Sequence, residues 1–347
     1  MKKPVKSAYA AAGVNIDEKM RSLAAIKRMV HSTTVKGNRS SFGAFGCLFP
    51  SPGADHLLVA STDGVGTKLK VAVMAGRHDT VGQDIVNHCV NDILVQGAIP
   101  LFFLDYLGVS RLSSGQFKDV LAGICKACRE NHCQLVGGET AELPGLYPPG
   151  EYDLVGTIVG TVPRRRLVTG DGIRAGDTLI GLPSSGLHTN GYSLARKIIF
   201  EQEGLAVSDT FPGTRRTVSD VLLAVHRSYL KPVKALMSTG ISIRGMAHIT
   251  GGGFVDNIPR VLPDNVDAVI DESTWKLPPL FAYLQQRGDI DHDEMNRVFN
   301  MGIGYIVVVR HADAAQAVRV LSANGTAPRI IGNIAKGRRI VRFTGKP

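Results

Sequence analysis

The sequence lacks the marks of several large protein classes. Nowhere do about 18 apolar residues run together, so no membrane-spanning helix is expected. The first residues carry lysines with no apolar stretch behind them, so no secretory signal is expected either. Aromatic residues make up 6%, with one tryptophan, and none is interleaved with the basic clusters Lys2-Lys3-Lys6, Arg164-Arg165-Arg166 and Lys336-Arg338-Arg339. A nucleic-acid surface is therefore not expected despite the formal charge of +10. An anionic substrate, concentrated by the positive field, explains that charge better.

Cysteine is sparse too. Five residues leave an odd count, and Cys125 and Cys128 fall on an expected helix with no second pair at zinc spacing. They read as buried reduced thiols in a reducing cytoplasm. Also missing are the dinucleotide glycine pattern, the G-x-x-x-x-G-K-[ST] phosphate loop and the G-x-S-x-G elbow. Ser185 is thus a poor nucleophile.

Glycine, by contrast, is plentiful at 39 residues. The stretch Ser61–Lys68 (S-T-D-G-V-G-T-K) follows the apolar run Leu57–Ala60, which reads as a strand. It sets Asp63, Gly64, Gly66, Thr67 and Lys68 at a strand end, where glycines let a ligand approach the backbone. Asn91-Asp92 closes a helix expected over Thr80–Gln96, and Asn87 and Asn91 share a face of it. Asp84, in its first turn, suits the helix dipole. A strand from Cys133 to Val136 leads into a third acidic loop with Gly137, Gly138, Glu139 and Glu142. Magnesium wants oxygen ligands and is commonly held by one or two carboxylates plus phosphates. Lys68, His78 or Lys36 could supply the cation that phosphoryl transfer also needs.

Strands are expected over residues 57–62, 101–109, 152–162, 178–182, 245–249, 266–270, 303–309 and 328–334. Beyond the first acidic helix, others are expected over 20–30, 116–131, 191–203, 218–239 (bent at Pro232), 278–287 and 312–323. The pattern is α+β in two domains, divided near the basic turn at Pro163–Arg166 into residues 1–168 and 169–347, with 1–20 as a mobile arm or lid. In the second domain, Ser184–Gly191 offers Ser185, Gly186, His188 and Asn190 before a helix, with Asn190 as its N-cap. Gly251, Gly252 and Gly253 precede another helix start and suit a monophosphate. One half reads as built for a magnesium polyphosphate, the other for a phosphorylated small molecule.

At these motifs the chain resembles the phosphoribosylformylglycinamidine cyclo-ligase (aminoimidazole ribonucleotide synthetase) family. The resemblance runs through Ser61–Lys68, Gly76–Thr80, Val90–Asp92, Leu101–Tyr106, Leu135–Pro144, Ser184–Leu194, His248–Pro263 and Phe299–Gly304. It implies ATP-dependent closure of formylglycinamidine ribonucleotide to 5-aminoimidazole ribonucleotide in purine biosynthesis, releasing ADP and phosphate through an iminophosphate. It further implies an N-terminal domain that binds ATP and pairs with a second copy through its sheet, as a barrel-like homodimer, and a C-terminal α/β domain contributing to substrate-phosphate binding.

By that resemblance Asp63, Asp92 and Glu139 hold Mg2+ and ATP phosphates, aided by Gly64, Gly66, Thr67, Asn91, Gly137 and Gly138. His188, Lys68 and Asp92 act in catalysis; Ser185, Gly186, His188, Asn190 and Gly251–Gly253 bind substrate. Ala10-Ala11, Glu18–Arg21 and Thr157 depart from the family's usual residues. Alternatives of the same architecture are selenophosphate synthetase, thiamine monophosphate kinase, the hydrogenase-maturation carbamoyl-dehydratase and the larger glutamine-dependent enzyme of the preceding purine step, the last needing a much longer chain.

Overall fold

A computed structural model describes residues 26–34 and 52–345. The expected arm over 1–20, Lys36, Cys47 and the segment with Phe42, Phe45 and Phe49 lie outside them.

The first half is a four-stranded sheet of β1 (His56–Gly64), β2 (Ile99–Val109), β3 (Gln134–Glu142) and β4 (Tyr152–Pro163), in the order β1-β4-β2-β3. Only the β2–β3 pair is parallel. Residues along β4 alternate between buried and half-buried, the period-two signature of a sheet covered on one face. Leu154, Ile158 and Val162 join Phe103 and Leu107 on the covered face. There α2 (Val81–Leu94) and α3 (Ser114–Glu130) pack; α1 (Lys68–Ala75), for which the glycine-rich loop gives no sequence signal, lies between β1 and α2. Every residue of α2 is buried except Asp92.

The second half is a six-stranded sheet in the order β10-β7-β9-β5-β8-β6. Its strands are β5 (Thr178–Pro183), β6 (Ile243–His248), β7 (Val266–Asp271), β8 (Ile303–Val309), β9 (Arg329–Lys336) and β10 (Val341–Thr344). The interior strand β8, one in from the edge, is buried at every position, as its apolar run requires. Helices α4 (Tyr192–Arg196, continuing as a π-turn over Lys197–Gln202), α5 (Val218–Leu222), α6 (Leu230–Met237), α7 (Gly253–Asn257), α8 (Pro279–Gly288), α9 (His292–Val298) and α10 (Ala314–Ala323) complete it.

Two expectations are corrected. The helix expected over 218–239 is α5 and α6, separated by a non-helical strap over 223–229. The strap stays open because α2 captures its backbone. Asp84 Oδ1 accepts from His226 N–H at 2.7 Å, and Asn87 Nδ2 donates to the His226 carbonyl at 2.7 Å. Asn91 Nδ2 donates to the Arg227 carbonyl at 2.8 Å, and Asn91 Oδ1 accepts from Tyr229 N–H at 2.9 Å. The shared face of Asn87 and Asn91 is thus a seam between the halves. The second correction is that Gly137–Glu142 is strand, not loop, because it continues in register along β2.

Candidate functional site

A cleft of about 550 Å3 lies where the halves meet, lined by Ser61, Asp63 and Asp92 from the first and by His248, Thr250 and Arg260 from the second. β1 delivers Asp63 at its end, and α2 delivers His88 and Asp92 one turn apart. Asp63 Oδ2 lies 2.9 Å from His88 Nε2, and Asp92 Oδ2 lies 3.6 Å from the same nitrogen. Ser61 Oγ donates to Asp92 Oδ2 at 3.1 Å, and Gly64 N–H donates to Asp63 Oδ1 at 2.6 Å. From β6, His248 Nδ1 reaches Asp92 Oδ1 at 2.8 Å. Two carboxylates from separate elements therefore converge on one imidazole.

The electrostatics follow. Burial works to raise the Asp63 and Asp92 carboxyls, but contacts with His88 and His248 outweigh it and hold both below the usual range. Burial works to lower the His88 imidazole, but Asp63 and Asp92 raise it. Two oxygen ligands kept anionic suit a hard divalent cation such as Mg2+. His88, Asp92 and His248 place potential ligand atoms within 4.8 Å of one another.

Behind this wall the histidines form a packed set. His88 Nδ1 meets Thr189 Oγ1 at 2.7 Å, and His226 Nε2 meets His248 Nε2 at 3.1 Å. His188 stacks on His226 with ring centres 3.9 Å apart. Burial drives His188 and His226 well below the ordinary histidine range, so both are neutral at pH 7. Sequence reasoning missed His88, His226 and His248 as a group. The i, i+4 spacing of His88 and Asp92 was the signal that could have found the first.

Other expected site residues stand elsewhere. Lys68 is not a cation facing the cleft. It is fully buried, its Nζ 2.7 Å from Asp84 Oδ2 and donating to the Ala224 carbonyl at 2.8 Å. Asp84 is therefore a buried ion-pair partner rather than an exposed dipole cap. Burial presses the lysine down and the carboxyl up, and each is the other's main counterweight. His78 is taken up by Tyr152 Oη at 2.9 Å, and burial lowers it. Thr67 Oγ1 meets Ser193 Oγ across the halves at 3.1 Å, and Gly66 has φ +68°, which favours glycine.

Glu139 does not join Asp63 and Asp92 within the chain. β3 and β1 are opposite edges, roughly 14 Å apart at ordinary strand spacing. Glu139 also pairs with Tyr106 on the face away from α2. Gly137 precedes it; Gly138 is required because a Cβ there would sit 2.3 Å from Asp105 Oδ1, and burial raises that carboxyl to about 7.

In the second half, His188 is 1% exposed and its Nε2 already accepts from Ser185 N–H at 3.1 Å, so it does not line the cleft. Ser185 and Gly186 line a separate cavity of about 160 Å3 with Arg216 and Phe281. Gly191, not Asn190, caps α4, with φ 78°. Asn190 turns its amide over Gly251, whose Cβ would lie 3.1 Å from Asn190 Oδ1. The triple glycine opens a helix of five residues, and a Cβ on Gly253 would lie 2.0 Å from the Asn296 carbonyl. Gly253 is thus accounted for by packing against α9, and Gly252 by its φ of +93° and the Asp256 side chain.

Against known proteins, residues 46–162 match "AIR synthase related protein, N-terminal domain", and 174–344 match "AIR synthase related protein, C-terminal domain". The chain is 46% identical over 339 residues to the phosphoribosylformylglycinamidine cyclo-ligase of Alkaliphilus metalliredigens, covering 97% of each. It is 48% identical to that of Oleidesulfovibrio alaskensis, covering 95% of each. Among solved structures, thiamine-monophosphate kinase from Stenotrophomonas maltophilia superposes with TM-score 0.70 at 17% identity, over 93% of this chain and 96% of that one. Hydrogenase maturation protein HypE in complex with ATP gives 0.69 at 18%, over 96% and 92%. These last two share the fold.

Proposed function

The chain belongs to the phosphoribosylformylglycinamidine cyclo-ligase family, and we propose that the cleft at Asp63 and Asp92 is where it runs that family's ATP-dependent ring closure. The formamide oxygen of formylglycinamidine ribonucleotide attacks the γ-phosphorus of ATP, and ADP leaves. The amidine nitrogen then attacks the activated carbon, the imidazole closes, and phosphate departs in place of a poor oxygen leaving group. Because the second step is intramolecular, the chain's task is to position the substrate and exclude water.

The observation that carries this reading is the convergence of two anionic carboxylates on His88 at the wall of a cleft of nucleotide size. Asp63 and Asp92 would hold Mg2+, which when bound neutralises phosphate charge. Ser61 and His248 keep the Asp92 carboxylate oriented, and His88 does so for Asp63. Residues 1–168 form the ATP-binding half in this reading, and 169–347 close the substrate side. Incubation with formylglycinamidine ribonucleotide and Mg-ATP is expected to yield aminoimidazole ribonucleotide and ADP in equal amounts. ADP formed without the aminoimidazole would refute the assignment.

The reading extends to a homodimer. Among the described residues, the sheet face away from α2 carries Leu58, 63% exposed, with the half-buried Leu104 and Val159 on the same side. Glu139 stands on that face too, where a second copy would cover it. Leu58→Glu with Leu104→Glu is expected to halve the mass seen by sedimentation equilibrium; a mass unchanged from wild type would argue against this face. No described helix is long and apolar enough to cross a membrane. Cys89, Cys125, Cys128 and Cys133 are free and buried, which supports a cytoplasmic setting.

A further inference from the structure

The cleft carries carboxylates of opposite charge to one further lining group, and the carboxylates do not account for that group. Among its lining residues Arg260 is the single lysine or arginine. It follows α7 in a short 3-10 turn (Ile258–Arg260) of the second half and lines the same cleft as Asp63 and Asp92. Two neighbouring arginines are engaged: Arg339 donates to the Pro259 carbonyl at 2.8 Å and pairs with Asp264 at 3.0 Å, and Arg297 Nε lies 3.9 Å from Asp256 Oδ2. Arg260 is exposed and has no side-chain hydrogen bond or ion pair among the described residues.

The triple glycine beside it is a poor anion cradle. Asn257 Nδ2 lies within 3.4 Å of the carbonyls of Thr250, Gly251 and Gly253, tying the loop to itself. A Cβ placed on Gly252 would lie 2.7 Å from Asp256 Oδ2, so a carboxylate already stands over the glycines. An incoming phosphate would have to displace that carboxylate, which already faces Arg297 Nε at 3.9 Å. A guanidinium in the same cleft offers a planar fork that matches phosphate oxygens.

We infer that Arg260 is the anchor for the 5′-phosphate of a ribonucleotide substrate, fixing that end of the molecule while its reacting end lies toward Asp63 and Asp92. The inference rests on the cyclo-ligase reading for the identity of the substrate. Thr169, Thr250 and Gln96 line the same cleft and offer uncharged hydrogen-bonding groups to the sugar.

The test compares wild type, Arg260→Gln and Arg260→Lys in two arms. In turnover with Mg-ATP, Arg260→Gln is expected to raise KM for formylglycinamidine ribonucleotide by about 10- to 100-fold, the scale of a lost charge-assisted bond. Its KM for Mg-ATP stays within about threefold of wild type, and Arg260→Lys recovers part of the loss. With the 5′-dephosphorylated nucleoside, wild type and Arg260→Gln are expected to perform alike. In the second arm, ribose 5-phosphate binding is measured directly by calorimetry and is expected to weaken at least tenfold in Arg260→Gln. Equal ribose 5-phosphate binding by wild type and variant overturns the anchor, as does a rise in KM for ATP rather than the ribonucleotide. Absence of cyclisation by wild type, alongside binding that depends on Arg260, would sink the cyclo-ligase reading and leave the anchor standing.

Discussion

Asp92→Asn is expected to cut kcat for ring formation by about 10²–10³-fold or more, with the fold intact. Asparagine fills the same volume, but its amide carries no charge. One oxygen can no longer serve both Ser61 Oγ and His248 Nδ1, which now reach separate carboxylate oxygens. The half-saturating Mg2+ concentration is expected to rise as well, since one of two proposed oxygen ligands is neutralised. Asp92 is the only α2 residue that escapes full burial, so the substitution reaches the cleft without disturbing the helix core. A magnesium titration of initial rates beside a circular-dichroism melt separates loss of site from loss of fold. If the folded variant keeps wild-type kcat and magnesium dependence, Asp92 is not part of the phosphoryl-transfer site.

Lys68→Met carries the other large effect, and it falls on stability. Lys68 and Asp84 are both wholly shielded from solvent, 2.7 Å apart. Removing one partner of a buried pair leaves an uncompensated charge, at a cost of about 3–5 kcal/mol. The Ala224 carbonyl also loses its donor. The double variant Lys68→Met/Asp84→Asn should recover much of that loss, because the asparagine oxygen can still accept from His226 N–H while no lone charge remains. Urea denaturation of the two variants and wild type measures both quantities. A Lys68→Met protein of wild-type stability but weakened ATP affinity would instead restore Lys68 to the role of a phosphate cation.

The strands β4 and β8 were legible in the sequence because their apolar pattern is local: alternation in one, an unbroken run in the other. Asp63 and Asp92 were legible because each closes an apolar segment next to glycine or asparagine. The strap was not. Its apolar spacing continues that of α5, and what unwinds it is hydrogen bonding to side chains far away in sequence, which no local propensity encodes. Lys68 misled for a similar reason, since a lysine beside glycines looks solvated until the partner on α2 is known. Glu139 misled because strand order is a tertiary fact: similar acidic stretches can occupy opposite edges of one sheet. Histidines on apolar elements leave little trace one at a time, so the set behind the acids emerged only in three dimensions.

The seam between the strap and α2 limits how the molecule can breathe. Asp84, Asn87 and Asn91 grip the strap backbone along the length of α2, deep under protein. Swinging the halves apart like a clamshell would strip those groups of partners away from water, a large penalty for each. Ligand entry is then expected with the halves held in register, past exposed lining residues such as Thr169 and Arg260. The expectation for a melt is a single transition shared by both halves, because the seam's hydrogen bonds join them. A fragment ending near residue 168 would carry a polar strip shaped for an absent neighbour, and would be the less stable for it.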